Sequence, residues 1–340
     1  ISLKGEGVYG QKIKDLGIPV HYCNFSLDRN ILKNFFKFRD YIKKLNPDLI
    51  QGWMYHGNIA SILAKKLFLP AIPVVWNIRH SLYSITSEKI LIRLIIKLNK
   101  YFSKDVDKLL YNSDIAKSQH QALGFKEDNS VVIYNGYDLN FLKPDSKVRE
   151  CVRKKLCIEE NVRVIGHVAR FHPMKDHKTF LLAALEILKQ TSNVIFMLIG
   201  TRVDSTNKEL MKLIPEQMNE HFIFLGEQTK VYDYMQSMDL FCSTSAWGEG
   251  FSNVLAEGMS LGLFCISTDI GQASEIVRSK GRIVPPSNVE ALTNEIMSVL
   301  SLEHQDFKRT GKQARERINE HYSLSKTTDD YKRIYDNLLC

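Results

Sequence analysis

The sequence predicts an α/β protein built from two doubly wound parallel sheets. Its 340 residues are enough for two domains of ordinary size. Apolar, strand-like runs alternate with amphipathic, helix-like runs through both halves of the chain. Hydrophobic residues make up 44% of the chain and charged residues 25%, as is usual for globular proteins. Such sheets bind ligands at the carboxyl ends of their strands.

The second half alternates most regularly. Short apolar runs bounded by glycine or polar residues predict strands at 162–168, 194–200, 222–226, 240–245 and 263–268. Apolar residues at helical spacing predict helices at 179–189, 231–238 and 289–301, and a small-residue segment predicts one around Glu257. A further helix is predicted at 209–218 despite Pro215.

The first half follows the same order. Strands are predicted at 20–23, 49–53, 72–76, 108–112 and 131–136, and helices at 31–45, 59–67 and up to about 123. A linker containing Pro144 follows at 140–145. The last segment, 321–339, predicts a helix with Tyr331, Ile334, Tyr335 and Leu338 on one face.

The net charge of +8 lies entirely in the first half. Residues 1–140 hold 20 basic and 12 acidic residues, and the remainder holds 26 of each. This asymmetry favours an anionic partner: a membrane surface, a nucleic acid or a phosphorylated substrate. No nucleic-acid recognition motif supports the second of these, so no nucleic-acid partner is predicted. No Gly-x-Gly-x-x-Gly follows a strand, which argues against a dehydrogenase.

Two carboxylates, Glu249 and Glu257, stand eight residues apart between two predicted strands. Ionised carboxylates only accept hydrogen bonds, so a pair of them suits the hydroxyls of a polyol. Backbone N–H groups at the start of the intervening helix suit a phosphate. The pattern favours a nucleotide-sugar site, although the spacing alone also fits a surface glutamate and a glutamate at a helix N-terminus.

Two cations, Arg170 and Lys175, follow the strand at 162–168. Arginine supplies a planar fork of donors and lysine a compact charge, a combination that suits a diphosphate. Solvated surface cations are the alternative interpretation. His167, His172 and His177 lie in the same stretch, but His167 falls within a strand, so no metal site is predicted.

The segment 238–277 resembles the signature of glycosyltransferase family 4, the retaining transferases of GT-B fold. The resemblance rests on Asp239, on the run from Glu249 to Glu257, and on Asp269-Ile270-Gly271 followed by Glu275. It implies two Rossmann-like doubly wound domains that face each other across a cleft. It also implies a last helix that returns to the first domain, giving domains of 1–140 plus 322–340 and of 146–321.

The resemblance also implies roles for individual residues. It places Arg170 and Lys175 on the donor diphosphate, Glu249 on the donor sugar near its anomeric carbon, and Glu257 on the ribose. The donor loop is completed by Gly250, Phe251, Ser252 and Asn253. His56 is expected across the cleft as a further catalytic residue. Arg79, His80 and Asn135 are expected to contact the acceptor.

A function follows from the resemblance. We expect a retaining, metal-independent hexosyltransferase that needs no cofactor and uses a nucleotide-sugar donor, a UDP-sugar. Its acceptor would be a saccharide or lipid-linked saccharide of bacterial surface polysaccharide, such as lipopolysaccharide or capsule. In the family, residues like Leu3–Gly7 follow a first strand and a glycine-rich loop, which this chain lacks. The alternative is therefore a non-catalytic nucleotide-sugar-binding or partner subunit.

The segment from Ser87 to Lys104 predicts an amphipathic helix. Its apolar stripe contains Ile90, Leu91, Leu94, Ile95, Leu98 and Phe102, and its other face contains Lys89, Arg93, Lys97, Lys100 and Lys104. Either the stripe packs on the helix's own domain, or the helix lies on an anionic bilayer. The second interpretation predicts a cytoplasmic protein that is peripheral to the inner face of the plasma membrane.

Overall fold

The structure is a computed structural model, and it describes residues 1–7, 9–25, 30–82 and 84–340. The first part of the chain forms α1 (Gly10–Asp15), α2 (Ile31–Leu45), β1 (Ile50–Trp53), α3 (Met54–Leu67), β2 (Val74–Ile78), α4 (Ile90–Phe102), β3 (Lys108–Tyr111), α5 (Asp114–Ala122) and β4 (Ser130–Val132). These strands form one parallel sheet in the order β1-β2-β3-β4.

The second part forms a larger sheet. Its elements are α6 (Ser146–Lys155), β5 (Arg163–Val168), α7 (His177–Leu188), β6 (Val194–Ile199), α8 (Lys208–Met211), β7 (Phe222–Phe224), α9 (Val231–Gln236), β8 (Leu240–Ser243), α10 (Asn253–Ser260), β9 (Phe264–Thr268), α11 (Ala273–Val277), β10 (Arg282–Val284), α12 (Val289–Leu300) and α13 (His304–Tyr322). Six parallel strands lie in the order β10-β9-β8-β5-β6-β7. The predicted pair of doubly wound α/β domains is confirmed.

Helices cover both faces of each sheet, so the central strands are buried along their whole length. Every residue of β2, β8 and β9 is buried. Trp76 is the largest fully buried side chain of the first sheet, and Phe196, Phe241 and Phe264 are its counterparts in the second. Within the described ranges, no helix is both long and apolar enough to cross a bilayer.

The chain crosses between the domains twice, and the two crossings are hydrogen-bonded to each other. Tyr137 N–H donates to the Tyr322 carbonyl over 2.9 Å, and Leu324 N–H donates to the Tyr137 carbonyl over 2.9 Å. After the second crossing, α14 (Leu324–Leu339) packs Tyr331, Ile334 and Leu338 on the first sheet. The guanidinium of Arg315 holds the first crossing, since it donates to the carbonyls of Leu139 and Leu142.

Some predicted elements were wrong in extent or kind. The strand at 20–23 reduces to an isolated bridge between Tyr22 and Ser2. The helix at 209–218 stops at Met211, and after Pro215 the chain forms a 3₁₀ turn. Pro215 has no N–H to donate, which ends the regular hydrogen-bond ladder. The helix at 59–67 is longer than predicted, because α3 begins directly after β1 at Met54.

Helices α6 and α13 were not predicted because their apolar stripes are narrow. Among the described apolar side chains of α13, only Phe307, Ala314, Ile318 and the last residue, Tyr322, are buried. Gly311 explains how so polar a helix still packs closely. A β-carbon there would lie 2.0 Å from the carbonyl oxygen of Gly262, so only glycine permits this approach.

Asp239 holds three arginines at the start of β8. Its carboxylate accepts hydrogen bonds from Arg149 over 2.7 Å and from the backbone N–H of Val164 over 2.8 Å. Arg153 and Arg163 lie 3.4 and 3.8 Å away. The Asp239 side chain is 10% exposed and the Arg153 side chain 6%, so this network is largely removed from water.

We expect Asp239→Ala to lower the free energy of unfolding by ~3 kcal/mol or more, because it leaves a buried guanidinium without its carboxylate. Urea denaturation followed by circular dichroism measures the change. Asp306→Ala is the matched control, since its partner Arg309 is 70% exposed and such pairs contribute about 1 kcal/mol or less. Equal losses in the two variants would show that the Asp239 network does not stabilise the fold.

Candidate functional site

The carboxyl ends of β5 and β8 bring Lys175 and Glu249 together. Residues Pro173–Lys175 form a 3₁₀ turn, and Asp176 then caps α7 by accepting from Thr179 N–H over 3.1 Å. The Lys175 ammonium forms an ion pair with Glu249, and the two side chains are 18% and 13% exposed. Ser245 also donates to Glu249 over 2.8 Å. Glu249 is therefore held by two donors in the unliganded protein.

Arg170 is close to Lys175 in the sequence, but in the structure it does not contact the Lys175–Glu249 ion pair. It follows β5 by two residues, its side chain is exposed, and among the described residues it forms no hydrogen bond or ion pair with Glu249. An exposed guanidinium at the carboxyl edge of a sheet is available to an anionic ligand. The structure thus brings Lys175 to Glu249 and leaves Arg170 facing solvent.

The loop after Glu249 packs against the loop that contains Asp269, Ile270 and Gly271. A β-carbon on Gly271 would lie 2.4 Å from the carbonyl oxygen of Glu249, and Gln272 N–H donates to the Gly250 carbonyl over 2.9 Å. Gly271 has a φ of +64°, which favours glycine as well. The spacing of Glu249 and Asp269-Ile270-Gly271 in the sequence therefore reflects direct packing of two loops.

Phe251 joins this loop to the crossings between the domains. Its ring is 5% exposed, and its centroid lies 6.3, 6.0 and 5.4 Å from those of Tyr137, Tyr134 and Tyr322. The sequence predicts that the backbone amide of Phe251, with those of Gly250 and Ser252, faces the donor. The structure places the Phe251 side chain between the two crossings, which leaves that prediction for its backbone open to test.

Glu257 lies in α10, eight residues after Glu249 in the sequence. The hydroxyl of Tyr232 donates to its carboxylate over 3.2 Å. Burial raises the pKa of the Glu257 carboxyl above its usual range, and the Tyr232 hydrogen bond opposes the rise. Tyr232 was not predicted as a site residue, because nothing in the sequence around it distinguishes it from a core tyrosine.

A cavity of about 480 Å³ lies between the domains and contains Glu257. Its walls include Arg79, Asn135, Tyr137, Tyr232 and Asn253. A second concavity of about 330 Å³, along residues 202–209, contains none of the predicted site residues. The cavity between the domains is therefore the one that joins predicted residues of both halves of the chain.

Asn253 connects the two walls of this cavity. Its side-chain oxygen accepts hydrogen bonds from Asn135 and, over 2.8 Å, from the hydroxyl of Tyr137. Asn135 in turn accepts a hydrogen bond from Arg79. Arg79, Asn135 and Asn253 are thus linked by consecutive hydrogen bonds across the cleft. The sequence did not predict this link, because the three residues belong to separate motifs.

The two first-domain histidines that were predicted as site residues, His56 and His80, differ in their surroundings. His56 is exposed in the first turn of α3. His80 is half-buried, 3.3 Å from the Tyr55 hydroxyl and 3.6 Å from Glu88. Burial lowers the pKa of His80, and the Glu88 carboxylate opposes this. The structure does not bring His56 and His80 together.

His167 and His177 lie in the core of the second domain with their rings 4.7 Å apart. Burial lowers the pKa of His177 to about 4 and that of His167 well below its usual range, so both are neutral at pH 7. No group of three or more possible metal ligands occurs in the part of the chain that the structure describes.

Comparison with known proteins agrees with this arrangement. Residues 148–317 match the family described as Glycosyl transferases group 1, and residues 5–141 match Glycosyltransferase Family 4. The chain belongs to the group 1 glycosyltransferases. The predicted family is therefore confirmed, and half of the chain lies in the first match alone.

This glycosyltransferase has relatives among characterised proteins. It is 26% identical to the N,N'-diacetylbacillosaminyl-diphospho-undecaprenol alpha-1,3-N-acetylgalactosaminyltransferase of Campylobacter jejuni, over 97% of this chain and 89% of the relative. It is 25% identical to the capsular polysaccharide biosynthesis glycosyltransferase CapH of Staphylococcus aureus, over 79% of this chain and 72% of the relative.

Solved structures share the fold of this glycosyltransferase. The crystal structure of Anabaena HepE in complex with UDP superposes with a TM-score of 0.84 at 21% identity, covering 99% of this chain and 91% of that one. Sucrose-phosphate synthase from Thermosynechococcus elongatus gives a TM-score of 0.74 at 18% identity, covering 92% and 80%. The two sheets facing across a cleft are those of the GT-B fold, as predicted.

We expect Glu257→Gln to raise the unfolding temperature at pH 7 by about 2 °C, the shift that ~1 kcal/mol produces in domains of this size. Ionised Glu257 is buried at a cost that the neutral amide does not bear. Because burial raises the carboxyl pKa, wild-type Glu257 becomes protonated as the pH falls, and the difference should shrink.

Scanning calorimetry of both proteins from pH 4 to pH 8 measures this difference. Glu290→Gln is the control, since that glutamate lies in the first turn of α12, away from the cavity. A gap between wild type and Glu257→Gln that widens toward acid pH would contradict the burial of a charged carboxylate.

Proposed function

We propose that this chain is a retaining hexosyltransferase that moves a sugar from a UDP-sugar to a saccharide or lipid-linked saccharide acceptor. The acceptor would belong to bacterial surface polysaccharide synthesis. The proposal rests on the positions of two carboxylates, Glu249 in the loop after β8 and Glu257 in α10, the helix that follows this loop. Glu249 meets Lys175 at the sheet edge, and Glu257 faces the cavity between the domains.

The donor's charge matches the cations at the sheet edge. Arg170 is exposed, and among the described residues Glu249 is the one carboxylate that forms an ion pair with Lys175. A diphosphate carries more negative charge than one carboxylate, so it would draw Lys175 away from Glu249. Glu249, still held by Ser245, would then accept a hydrogen bond from a hydroxyl of the transferred sugar.

The donor's ribose matches the second carboxylate. Glu257 already accepts a hydrogen bond from Tyr232 and has further lone pairs for the two ribose hydroxyls. The cavity of about 480 Å³ is within the range of small-molecule sites. Diphosphate at Lys175 and ribose at Glu257 would place the donor along α10, with its sugar toward the first domain.

In the reaction, the acceptor hydroxyl oxygen attacks the anomeric carbon while the bond from that carbon to the diphosphate oxygen breaks. Arg170 and Lys175 would stabilise the charge that develops on the leaving diphosphate. Two fixed cations can do this without a metal ion, which supports a metal-independent reaction. The proton of the acceptor would pass to a leaving phosphate oxygen on the same face, which gives retention. His56, His80, Arg79 and Asn135 are proposed to border the acceptor.

The comparisons support this choice of substrates by analogy. HepE was crystallised with UDP, with UDP and glucose, and with UDP-glucose. The name of the Campylobacter relative gives a diphospho-undecaprenol acceptor, and a lipopolysaccharide core mannosyltransferase of Rhizobium meliloti is another relative, 23% identical over 53% of this chain. HepE thus provides the analogy for a UDP-sugar donor, and the two relatives provide the analogy for a lipid-linked or lipopolysaccharide acceptor.

We expect Arg170→Ala to weaken UDP binding at least tenfold, since a charge-assisted hydrogen bond contributes ~1.5–3 kcal/mol. Arg170 is exposed, so the unfolding temperature should not change. Isothermal titration with UDP in EDTA and again in magnesium measures both the loss and any metal requirement.

Lys178→Ala is the matched control, because it removes an exposed cation eight residues further on, in α7. Unaltered UDP affinity in Arg170→Ala would contradict the diphosphate assignment. Absence of UDP binding by the wild type in EDTA, with binding restored by magnesium, would instead contradict metal independence.

We also propose that α4 rests on an anionic membrane surface. The predicted stripe divides in the structure: Ile95 and Phe102 pack on the domain core, whereas Ile90, Leu91, Leu94 and Leu98 are 75%, 58%, 53% and 48% exposed. Tyr101 is exposed beside them. Lys89, Lys97, Lys100 and Lys104 surround this apolar face and are exposed, while Arg93 donates to the Glu88 and Thr86 carbonyls.

An apolar face bordered by cations is what an interfacial helix needs, and the positive charge of the first half has the right sign. We expect Lys97→Gln with Lys104→Gln to reduce binding to phosphatidylglycerol vesicles about thirtyfold, at roughly 1 kcal/mol per cation. The double variant Leu91→Ser and Leu94→Ser should also reduce binding to these vesicles, and this reduction should be the same at low and high salt. Cosedimentation measures both.

Leu339→Ser is the control, because Leu339 is 53% exposed at the far end of the chain. Equal binding of the wild type to neutral phosphatidylcholine vesicles would contradict the electrostatic part. Unchanged binding of the double leucine variant would show that α4 is not the docking surface.

A further inference from the structure

The two domains touch at a small polar seam, where Ser81, Asn112 and Ser113 of the first domain lie against Gly250 of the second, and the loop from Gly250 continues to Ser252 at the start of α10. A β-carbon on Gly250 would lie 3.3 Å from Ser81 Cβ, 3.4 Å from Ser113 Oγ and 3.8 Å from Asn112 Oδ1. A β-carbon at 250 would therefore press on the first domain, and the Ser81 side chain would have to shift by a few tenths of an ångström to admit it. Asn112 directly follows β3, so it stands at the carboxyl edge of the first sheet.

Two of the polar side chains in the seam have hydrogen-bond partners. Ser81 Oγ donates to Gln119 over 2.8 Å, and Ser113 Oγ accepts from Ala116 N–H over 3.1 Å at the start of α5. These serines fix the shape of the first-domain side. They are not available to a ligand without disrupting that shape.

Asn112 in the seam and Ser252 in the adjoining loop have unpaired buried atoms. Asn112 is 6% exposed and Ser252 is 4% exposed, and within the described residues neither Asn112 Oδ1 nor Ser252 Oγ has a hydrogen-bond partner. Ser252 directly precedes α10 without its side chain capping the helix. Unpaired buried polar atoms cost free energy, so a ligand hydroxyl that reached them would form favourable hydrogen bonds.

We propose that Asn112 is a donor-sugar-binding residue, supplied by the first domain, and that it recognises a hydroxyl of the transferred hexose together with Ser252. This inference rests on the proposed function, because it takes Lys175 and Glu249 to hold the diphosphate and sugar. Gly250 directly follows Glu249 and lies against Asn112, so a hexose held at Glu249 would lie next to the seam. Asn112 Oδ1 accepts the sugar's O–H, and Ser252 Oγ donates to or accepts from the same ring.

The arrangement divides donor recognition between the domains. UDP alone contacts the second domain through Arg170, Lys175 and Glu257. The hexose contacts both, so it adds affinity only when the seam closes on it. Because Asn112 Oδ1 and Ser252 Oγ are buried while the domains touch, the hexose enters before closure. The identity of the hexose is then read partly by a residue outside the donor loop.

The test compares UDP with four UDP-sugars: UDP-glucose, UDP-galactose, UDP-N-acetylglucosamine and UDP-N-acetylgalactosamine. Isothermal titration of the wild type gives the ratio of affinities of each UDP-sugar to UDP. We expect at least one ratio to exceed 1, and Asn112→Ala to reduce that ratio about fivefold to tenfold, the effect of one neutral hydrogen bond. Its affinity for UDP itself should equal that of the wild type.

Two further variants complete the design. Asn129→Ala is the matched control, since Asn129 is also a buried first-domain asparagine with an unpaired side-chain oxygen, but it lies before β4 and its amide donates to the Val106 carbonyl. It should lower stability and leave the ratio unchanged. In a double-mutant cycle, Asn112→Ala and Ser252→Ala should be non-additive for the UDP-sugar and additive for UDP.

The inference is overturned if Asn112→Ala keeps the wild-type ratio, or if no UDP-sugar binds the wild type more tightly than UDP. Loss of UDP and UDP-sugar binding in equal proportion also overturns it, because Asn112 would then act on closure alone. Failure of the wild type to bind UDP at all is a different result. It contradicts the proposed function before the seam comes into question.

Discussion

The packing of Phe251 against the two interdomain crossings is the constraint on which the site depends. The ring is enclosed by Tyr134 and Tyr137, near the end of the first domain, and by Tyr322, the last residue of α13. The crossings also hydrogen-bond to each other. A loop anchored at the hinge cannot shift without moving the domains, so the position of Glu249 and the closure of the cleft are mechanically linked.

The charges of the unliganded site are already balanced within the protein. Lys175 neutralises Glu249, and Tyr232 supports a buried Glu257. Each partner is one that a nucleotide sugar could replace: a diphosphate for Glu249 at Lys175, and ribose hydroxyls beside Tyr232. The protein thus keeps its functional groups oriented and largely dry before a ligand arrives, which reduces the reorganisation that binding requires.

The polar and apolar surfaces of the first domain serve different contacts. Its carboxyl edge meets the donor loop through small polar groups around Gly250. The exposed face of α4 is apolar and bordered by lysines. The Tyr55 backbone and side chain connect the two regions, since the Tyr55 carbonyl accepts from Asn99 of α4 over 3.1 Å and its hydroxyl contacts His80. The proposed membrane surface and the proposed acceptor edge therefore share one buried tyrosine.

The sequence by itself determined the fold class, most strands of both sheets and the positions of the charged site residues. Buried parallel strands are continuous apolar runs, and glycine and carboxylate motifs at their ends are local patterns, so both are visible without coordinates. It did not reveal the polar helix α13, whose narrow stripe is formed by Phe307, Ala314 and Ile318. Its packing depends on the close approach of Gly311 to Gly262, which lies about fifty residues away in the chain.

Only the tertiary structure decided which predicted residues meet. It paired Lys175 with Glu249, turned the Phe251 side chain into the hinge, and joined Asn135 to Asn253 across the cleft. It also brought Asn112 to the donor loop, a residue with no motif of its own. These contacts join residues from about 70 to nearly 140 positions apart. They depend on the relative placement of two domains, which no local pattern in the sequence encodes.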